Sequence, residues 1–253
     1  MKAFVKHPFR VVGRLPWLAG ELLFAAATFG LRCPFNSPSA ALKARAAWLQ
    51  THARRVLRVF ATGAQSSGPL PSNGLLVCNH LSYLDILVLA SLTPAIFVAK
   101  REVRLWPVFG WFARLAGTVF VDRERRTHVG QVTDEIQSAL NQGVLVILFP
   151  EGTSSGGHTV LPFKSSLLQP ATGQIHSLSA GLIQYELDDG DVSEEVCYWK
   201  DMTLVPHLIN LLAKRNIRAT VRFTQLREGS TNRKELARLL HSEVLRLKEA
   251  IAA

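Results

Sequence analysis

The sequence predicts an α/β fold preceded by a helical, membrane-associating segment, and three observations carry that prediction. Apolar runs at residues 75–78, 96–99, 118–121, 144–149, 182–185 and 219–224 alternate with helix-patterned stretches, as repeated β-α units do. Upstream of them, residues 15–31 are apolar except for Glu21 and follow Lys2, Lys6, Arg10 and Arg14. Between the two regions, residues 65–74 are rich in Ser, Pro and Gly, the composition of a loop. The boundary therefore falls there, with a two-helix segment over 1–64 and the α/β domain over 65–253.

The first helix is borderline for crossing a bilayer, which takes roughly 20 apolar residues; this stretch is shorter and carries a carboxylate, so burial in the interface is easier than spanning. A signal peptide shares its charged start and apolar middle, but Phe29-Gly30-Leu31-Arg32-Cys33 is a poor cleavage site. In the second helix, residues 39–60, Leu42, Ala46, Leu49, Ala53, Val56, Leu57 and Phe60 recur at three- and four-residue steps, with Lys43, Arg45, Arg54, Arg55 and Arg58 interleaved. Such a helix suits either a lipid surface or a sheet face. Farther on, Asp85 opens a helix over 86–92, and Val129, Val132, Ile136 and Leu140 form a stripe that Gly143 ends just before the strongest strand, 144–149. The last helix starts near Asn232, with Glu235 completing a capping box, and is expected to bury Leu236, Leu239, Leu240, Val244, Leu247 and Ile251.

Composition bounds the function. A chain of 253 residues, 48% hydrophobic, holds one sizeable domain and an accessory segment. A net charge of +10 favours an anionic partner, whether nucleic acid, membrane or a phosphate-rich small molecule. No zinc-finger spacing, nucleic-acid module or basic low-complexity arm is present, which argues against nucleic acid and leaves the membrane. The histidines have no metal-ligand spacing, and three scattered cysteines give no disulfide framework, which fits a reducing compartment.

The chemistry concentrates in Asn79-His80-Leu81-Ser82-Tyr83-Leu84-Asp85, directly after the strand 75–78. Residues five apart diverge on a continuous helix, so contact between His80 and Asp85 requires the turn that a strand-to-helix junction supplies. A carboxylate beside imidazole fixes its tautomer and stabilises the cation formed when the other nitrogen takes a proton, the property of a general base. No nucleophilic Ser or Cys is attached to the pair, so the simplest reading is deprotonation of a substrate hydroxyl. A His-x4-Asp pair alone is a weak signal, but three further blocks follow in order: Gly117-Thr118-Val119-Phe120-Val121-Asp122-Arg123, Phe149-Pro150-Glu151-Gly152-Thr153, and Leu182-Ile183-Gln184-Tyr185.

In these blocks the chain resembles the glycerolipid acyltransferases of the lysophosphatidate acyltransferase type, over residues 75–225. The resemblance implies a single mixed sheet flanked by helices, an N-terminal two-helix membrane anchor and a catalytic domain over 65–253. It makes His80 the base and Asp85 its partner. Asn79, Gly117, Phe120, Arg123, Glu151, Gly152 and Thr153 become acceptor-binding residues, with the planar fork of Arg123 on a phosphate. Two departures stand out: Ser154 replaces an expected Arg, for which Lys164 offers charge instead, and Ala180 stands where a Pro precedes the fourth strand. Glu-Gly-Thr-Ser and Trp199-Lys200-Asp201-Met202-Thr203-Leu204 resemble bacterial lyso-ornithine-lipid acyltransferases, whose phosphate-free acceptor would explain Ser154. The expected activity is transfer of an acyl group from acyl-CoA or acyl carrier protein to a lysolipid hydroxyl, with lysophosphatidate as first acceptor and lyso-ornithine lipid as second. No metal or other cofactor is implied. The expected partners are membrane lipids and these substrates, and the expected place is the cytoplasmic face of a membrane. A non-catalytic lipid-binding protein and a thioesterase are the rival readings. Trp106, Trp111 and Phe112 suit an acyl path, a membrane interface or core packing.

Overall fold

The computed structural model describes residues 7–33, 38–122, 126–174 and 176–252. Arg123, Lys2 and Lys6 lie outside these, as do the side chains of Val129 and Ile251.

Two long helices come first, α1 (Pro8–Arg32) and α2 (Pro38–Val59). They are followed by β1 (Thr62–Ser67), β2 (Leu75–Cys78), α3 (Leu84–Leu92), β3 (Ala95–Lys100), a 3₁₀ turn over Arg101–Leu105, α4 (Phe109–Leu115), β4 (Val119–Val121), α5 (Arg126–Asn141) and β5 (Leu145–Leu148). The chain ends with β6 (Leu178–Leu187), the short α6 (Val192–Glu195), α7 (Leu204–Ala213), β7 (Ile217–Gln225) and α8 (Arg233–Ala252). The strands form one sheet in the order β1-β7-β6-β2-β5-β3-β4. All neighbours are parallel except β6 and β7, so β1 and β7 run against the other five and the sheet is mixed, as expected. β2 lies between two parallel neighbours and all four of its residues are buried, which is why it reads as an unbroken apolar run.

β1 was not legible in the sequence. Thr-Gly-Ala-Gln-Ser-Ser has the composition of a loop, yet it pairs in parallel with β7 from Thr62 opposite Ile217 to Ser67 opposite Arg222. An edge strand with one exposed face needs little apolar content, because its partner's ladder supplies the hydrogen bonds. The loop expected over 65–74 is correspondingly shorter, and the boundary drawn at residue 65 falls inside this strand. The two helices do not stand apart from the sheet: Leu18, Ala53, Val56, Leu57 and Phe60 share one buried cluster with Leu76, Leu89, Phe97 and Val221. Arg10 donates to the carbonyl of Ala213 at 3.2 Å and Arg14 to that of Leu212 at 3.0 Å, so the expected membrane-flanking arginines satisfy the free carbonyls at the end of α7. Glu21, the charge inside the apolar stretch, is paired by Arg55 of α2 through Nε at 2.5 Å and Nη2 at 3.0 Å. Among the described residues one helix, over Pro8–Leu31, is long and apolar enough to cross a membrane.

Two further expectations change in detail. On α8, Asn232 Oδ1 accepts from the Lys234 N–H at 2.8 Å, but Glu235 does not close a capping box; the Asn232 N–H goes to Ser230 Oγ at 3.0 Å, and Ser230 donates to Glu235. Leu236, Leu240 and Val244 are buried as expected, whereas Leu239 is exposed because it lies a quarter-turn off their face.

Candidate active site

His80 and Asp85 meet as the junction allows. Asn79 and His80 leave the end of β2, the backbone turns through Leu81 and Ser82, and α3 begins at Leu84. His80 Nδ1 lies 2.8 Å from Asp85 Oδ2. The same oxygen accepts the N–H groups of Leu81 at 2.7 Å and Ser82 at 3.0 Å, which places the carboxylate in the first turn of α3, where the helix dipole favours negative charge. Oδ1 accepts the Tyr185 hydroxyl at 2.7 Å. Asp85 is wholly buried, so each of its four bonds is made away from water. An acceptor on Nδ1 assigns the proton there and leaves the lone pair on Nε2. Nε2 has no partner among the described residues, and the His80 side chain keeps 21% exposure, so the basic nitrogen faces a solvent-accessible space. The imidazole ring is held by Phe149, stacked at 4.1 Å between centroids.

The loop that follows β5 grips His80 from the other side. Glu151 Oε1 accepts the His80 N–H at 3.3 Å, and the His80 carbonyl accepts the Ser155 N–H at 3.0 Å. Gly152 makes this turn possible with φ +76°, a conformation strained for a residue with a side chain, and its N–H returns to the Phe149 carbonyl. Glu151 is almost fully buried and its second oxygen, Oε2, makes no hydrogen bond of good geometry among the described residues. Burial, augmented by the nearby charge of Asp85, pushes its pKa up to about 8, against the pull of the His80 N–H.

Behind Phe97 lies an apolar cavity of about 140 Å³, walled by α1, α2, α3, β3 and α4. Leu22, Trp48, Val56, Ile86, Phe97 and Phe112 are among its lining side chains. Phe97 stacks with Phe149 at 6.4 Å, so the cavity wall and the His80 ring share one aromatic stack.

A family model described as "Acyltransferase" matches residues 58–176. The lyso-ornithine lipid O-acyltransferase of Rhizobium meliloti is 34% identical over 79% of this chain and 74% of its own length. That decides the family. The chain belongs to the lysolipid acyltransferases. The lyso-ornithine lipid O-acyltransferase of Brucella abortus is 36% identical over 78% of the chain and 80% of its own length. The 1-acyl-sn-glycerol-3-phosphate acyltransferase of Neisseria meningitidis is 33% identical over 60% and 64%. The crystal structure of PlsC from Thermotoga maritima superimposes with a TM-score of 0.63 over 96% of this chain and 99% of that one, at 18% identity, and so shares the fold.

Within the acyltransferase, the expected binding residues separate into three places. Asn79, His80, Asp85, Glu151 and Gly152 converge at the ends of β2 and β5. Asn79 also fastens strands: its Nδ2 donates to the Ile183 carbonyl at 3.1 Å and its Oδ1 accepts the Ile183 N–H at 2.8 Å, tying β2 to β6. Thr153 is exposed on the same loop. Gly117 does not reach this end; Phe120, opposite Ala99 and so level with Phe149, does, but three strands away from β2. Gly117 precedes β4, which is parallel to β3, and so lies at the opposite end of the sheet, turning the chain at φ +77° with Leu42 against it. Phe120 joins it in a groove along the sheet edge. Asp122, the last described residue before Arg123, ends β4 three strand spacings from β2, roughly 14 Å.

Lys164 adjoins the Glu151 loop, its N–H on the Pro150 carbonyl at 2.9 Å. Its side chain is exposed in a separate groove with Lys234, Arg238 and His241, while the Ser154 hydroxyl donates to the Tyr198 carbonyl and pins the loop. Ala180 lies inside β6 opposite Val77, so the fourth block has no altered loop before its strand; the strand simply starts earlier, at Leu178. Tyr185 and Ser155 are the positioning residues that sequence reasoning passed over. Tyr185 ends the fourth apolar run and Ser155 follows Glu151-Gly152-Thr153-Ser154, but the hydroxyl on Asp85 and the N–H on His80 arise only when separate strands meet.

Proposed function

We propose that the chain transfers an acyl group from the thioester of acyl-CoA or acyl carrier protein to the hydroxyl of a lysolipid at the cytoplasmic face of a membrane. The observation that carries this reading is the Nε2 of His80, without a partner among the described residues, on a ring held by Asp85 and joined through Phe149 and Phe97 to an apolar cavity. Nε2 takes the proton of the acceptor hydroxyl as its oxygen attacks the thioester carbonyl; the resulting imidazolium, stabilised by Asp85, then protonates the departing thiolate. The products are an ester and a free thiol, and the step balances without a metal or an acyl-enzyme. Phe149 keeps the imidazole in plane, and Glu151 and Ser155 fix its backbone. The cavity takes the acyl chain, whose removal from water favours binding by about 0.8 kcal/mol for each buried methylene.

For the acceptor we favour a headgroup without phosphate, that of lyso-ornithine lipid. Ser154 is committed to Tyr198 and the Lys164 side chain lies in a separate groove, so neither the expected Arg nor its stand-in supplies a cation beside His80. The curated relatives from Rhizobium meliloti and Brucella abortus carry that activity in their names. Lysophosphatidate is the second reading, supported by Arg123 in the Gly-x-x-Phe-x-x-Arg block and by the Neisseria meningitidis relative.

The test is incorporation of labelled acyl groups from both donors into both lysolipids, with His80→Ala as control. Preferential acylation of lyso-ornithine lipid is expected. Preference for lysophosphatidate would overturn the acceptor assignment, and fatty acid release without ester formation would replace transfer by hydrolysis.

A further inference from the structure

The segment between β3 and β4 presents a surface that the reaction does not use. Residues 101–115 fold back on themselves as the 3₁₀ turn and α4, packed so closely that a side chain on Gly110 would collide with the Arg104 carbonyl at 2.3 Å. Its three large outward side chains are apolar: Leu105 is 82% exposed, Val108 52% and Trp111 45%. Leaving such groups in water forgoes the favourable burial of apolar surface.

The backbone adds to the cost. Val108 has φ +62° and ψ −59°, and the Phe109 N–H donates back to the Pro107 carbonyl at 2.6 Å, which is a γ-turn with its central residue at positive φ. That conformation is rare and strained, and for a β-branched residue it is a genuine outlier. Here it directs valine outward at the turn between the 3₁₀ segment and α4. Beside these apolar groups stand Arg104 and Arg114, which make no ion pair with a described residue and share a groove with Glu135. Over residues 100–115 four basic side chains face one acid, Glu102.

The inner face of the same hairpin is equally apolar. Val103, Trp106, Phe109 and Phe112 line the cavity, and Phe112 stacks on Trp48 at 6.1 Å. Trp48 in turn meets Phe29 of α1, so the hairpin adjoins the helix whose outer face exposes Phe9, Val12, Leu23 and Leu31.

We propose that residues 101–115 are a second membrane-inserting element, whose Leu105, Val108 and Trp111 enter an anionic bilayer while its inner face roofs the acyl cavity. The occupant is a lipid surface because exposed aliphatics and an indole flanked by unpaired guanidinium groups match an acyl layer below anionic headgroups. Continuity with the exposed face of α1 extends the contact into one surface. This rests on the membrane-associated reading above, and it adds that acyl chains pass between bilayer and cavity beneath this hairpin.

The test uses the full chain with an environment-sensitive fluorophore on Val108→Cys in a Cys33→Ser background, Cys78 and Cys197 being buried. Vesicles of phosphatidylglycerol and phosphatidylcholine are added, and an identical label at Glu228→Cys serves as reference. The label at position 108 is expected to blue-shift and be quenched by spin-labelled acyl chains, with the reference unchanged. In a second arm, Leu105→Ser/Val108→Ser is expected to weaken vesicle binding by roughly tenfold or more, with turnover on monomeric short-chain lysolipid preserved. Vesicle binding with a silent label at 108 would overturn the hairpin's role alone. Absence of any vesicle binding would overturn it together with the membrane reading, and neither result bears on the acyltransferase assignment.

Discussion

The His80 end of the sheet and the cavity beneath α1 and α2 adjoin one another but are built from opposite materials. Around Asp85 every contact is polar and directional, with four donors on one buried carboxylate and His80 fixed at ring, N–H and carbonyl. Across Phe149 the lining is almost wholly apolar and shaped by volume alone. The difference separates two tasks. Proton transfer needs a nitrogen placed to within tenths of an ångström, which buried hydrogen bonds provide; holding acyl chains needs space and the exclusion of water, which close directional contacts would obstruct. Mutations on the polar side should therefore act on turnover, and those on the apolar side on which chain is taken.

The largest effect should come from His80→Ala, which removes the base: turnover is expected to fall by about 10³ or more, with lysolipid binding retained by equilibrium dialysis. Wild-type turnover in this variant would break the division at its root. Tyr185→Phe tests whether the polar side extends beyond the pair. Losing the hydroxyl on buried Asp85 should lower kcat roughly tenfold with KM little changed, and cost about 1–2 kcal/mol in denaturant unfolding. A stability loss without a change in kcat would reduce Tyr185 to a structural role.

On the apolar side, Ala113→Phe places a ring in the cavity. Competition between donors should shift toward shorter acyl chains, with turnover on a short donor preserved and about 1–3 kcal/mol of stability lost. An equal fall for all chain lengths would show that the two regions are not separable. The smallest effect concerns Glu151. Its folded-state pKa near 8 lies above the ordinary carboxyl value of 4.5, so the folded protein keeps a proton that the unfolded chain releases. Its contribution to stability is full below about pH 4.5, declines as pH rises toward about 8, and is lost above that. Glu151→Gln should flatten this decline in denaturant midpoints measured from about pH 5 to about pH 9, and an unchanged slope would assign the proton elsewhere.

How far the sequence could be read followed from where the information lies. Five apolar runs became β2 to β6 because strands covered on both faces need unbroken apolar composition, and Ala219–Thr224 became the core of β7. β1 was missed because a polar edge strand owes its existence to β7. His80 and Asp85 were legible because one local turn brings them together. Gly117 lies at the far end of the sheet and Phe120 three strands from β2, because a motif's spacing along the chain does not fix where its strand sits in the sheet. Tyr185 and Ser155 carried no local signal at all: Tyr185 lies 100 residues from the carboxylate it contacts.

The sequence by itself determined the α/β alternation, the pairing of His80 with Asp85 and the apolar character of the first helix, since each depends on residues within a few positions of one another. Tertiary structure alone decided that α1 docks on α7 through Arg10 and Arg14, that Glu21 is neutralised by Arg55, and that Asn79 ties β2 to β6. It also decided that an apolar cavity lies behind Phe97, whose ring stacks on Phe149 against His80. Each of these joins groups distant along the chain, and the energy of such a contact exists only once the sheet has set the distance between them.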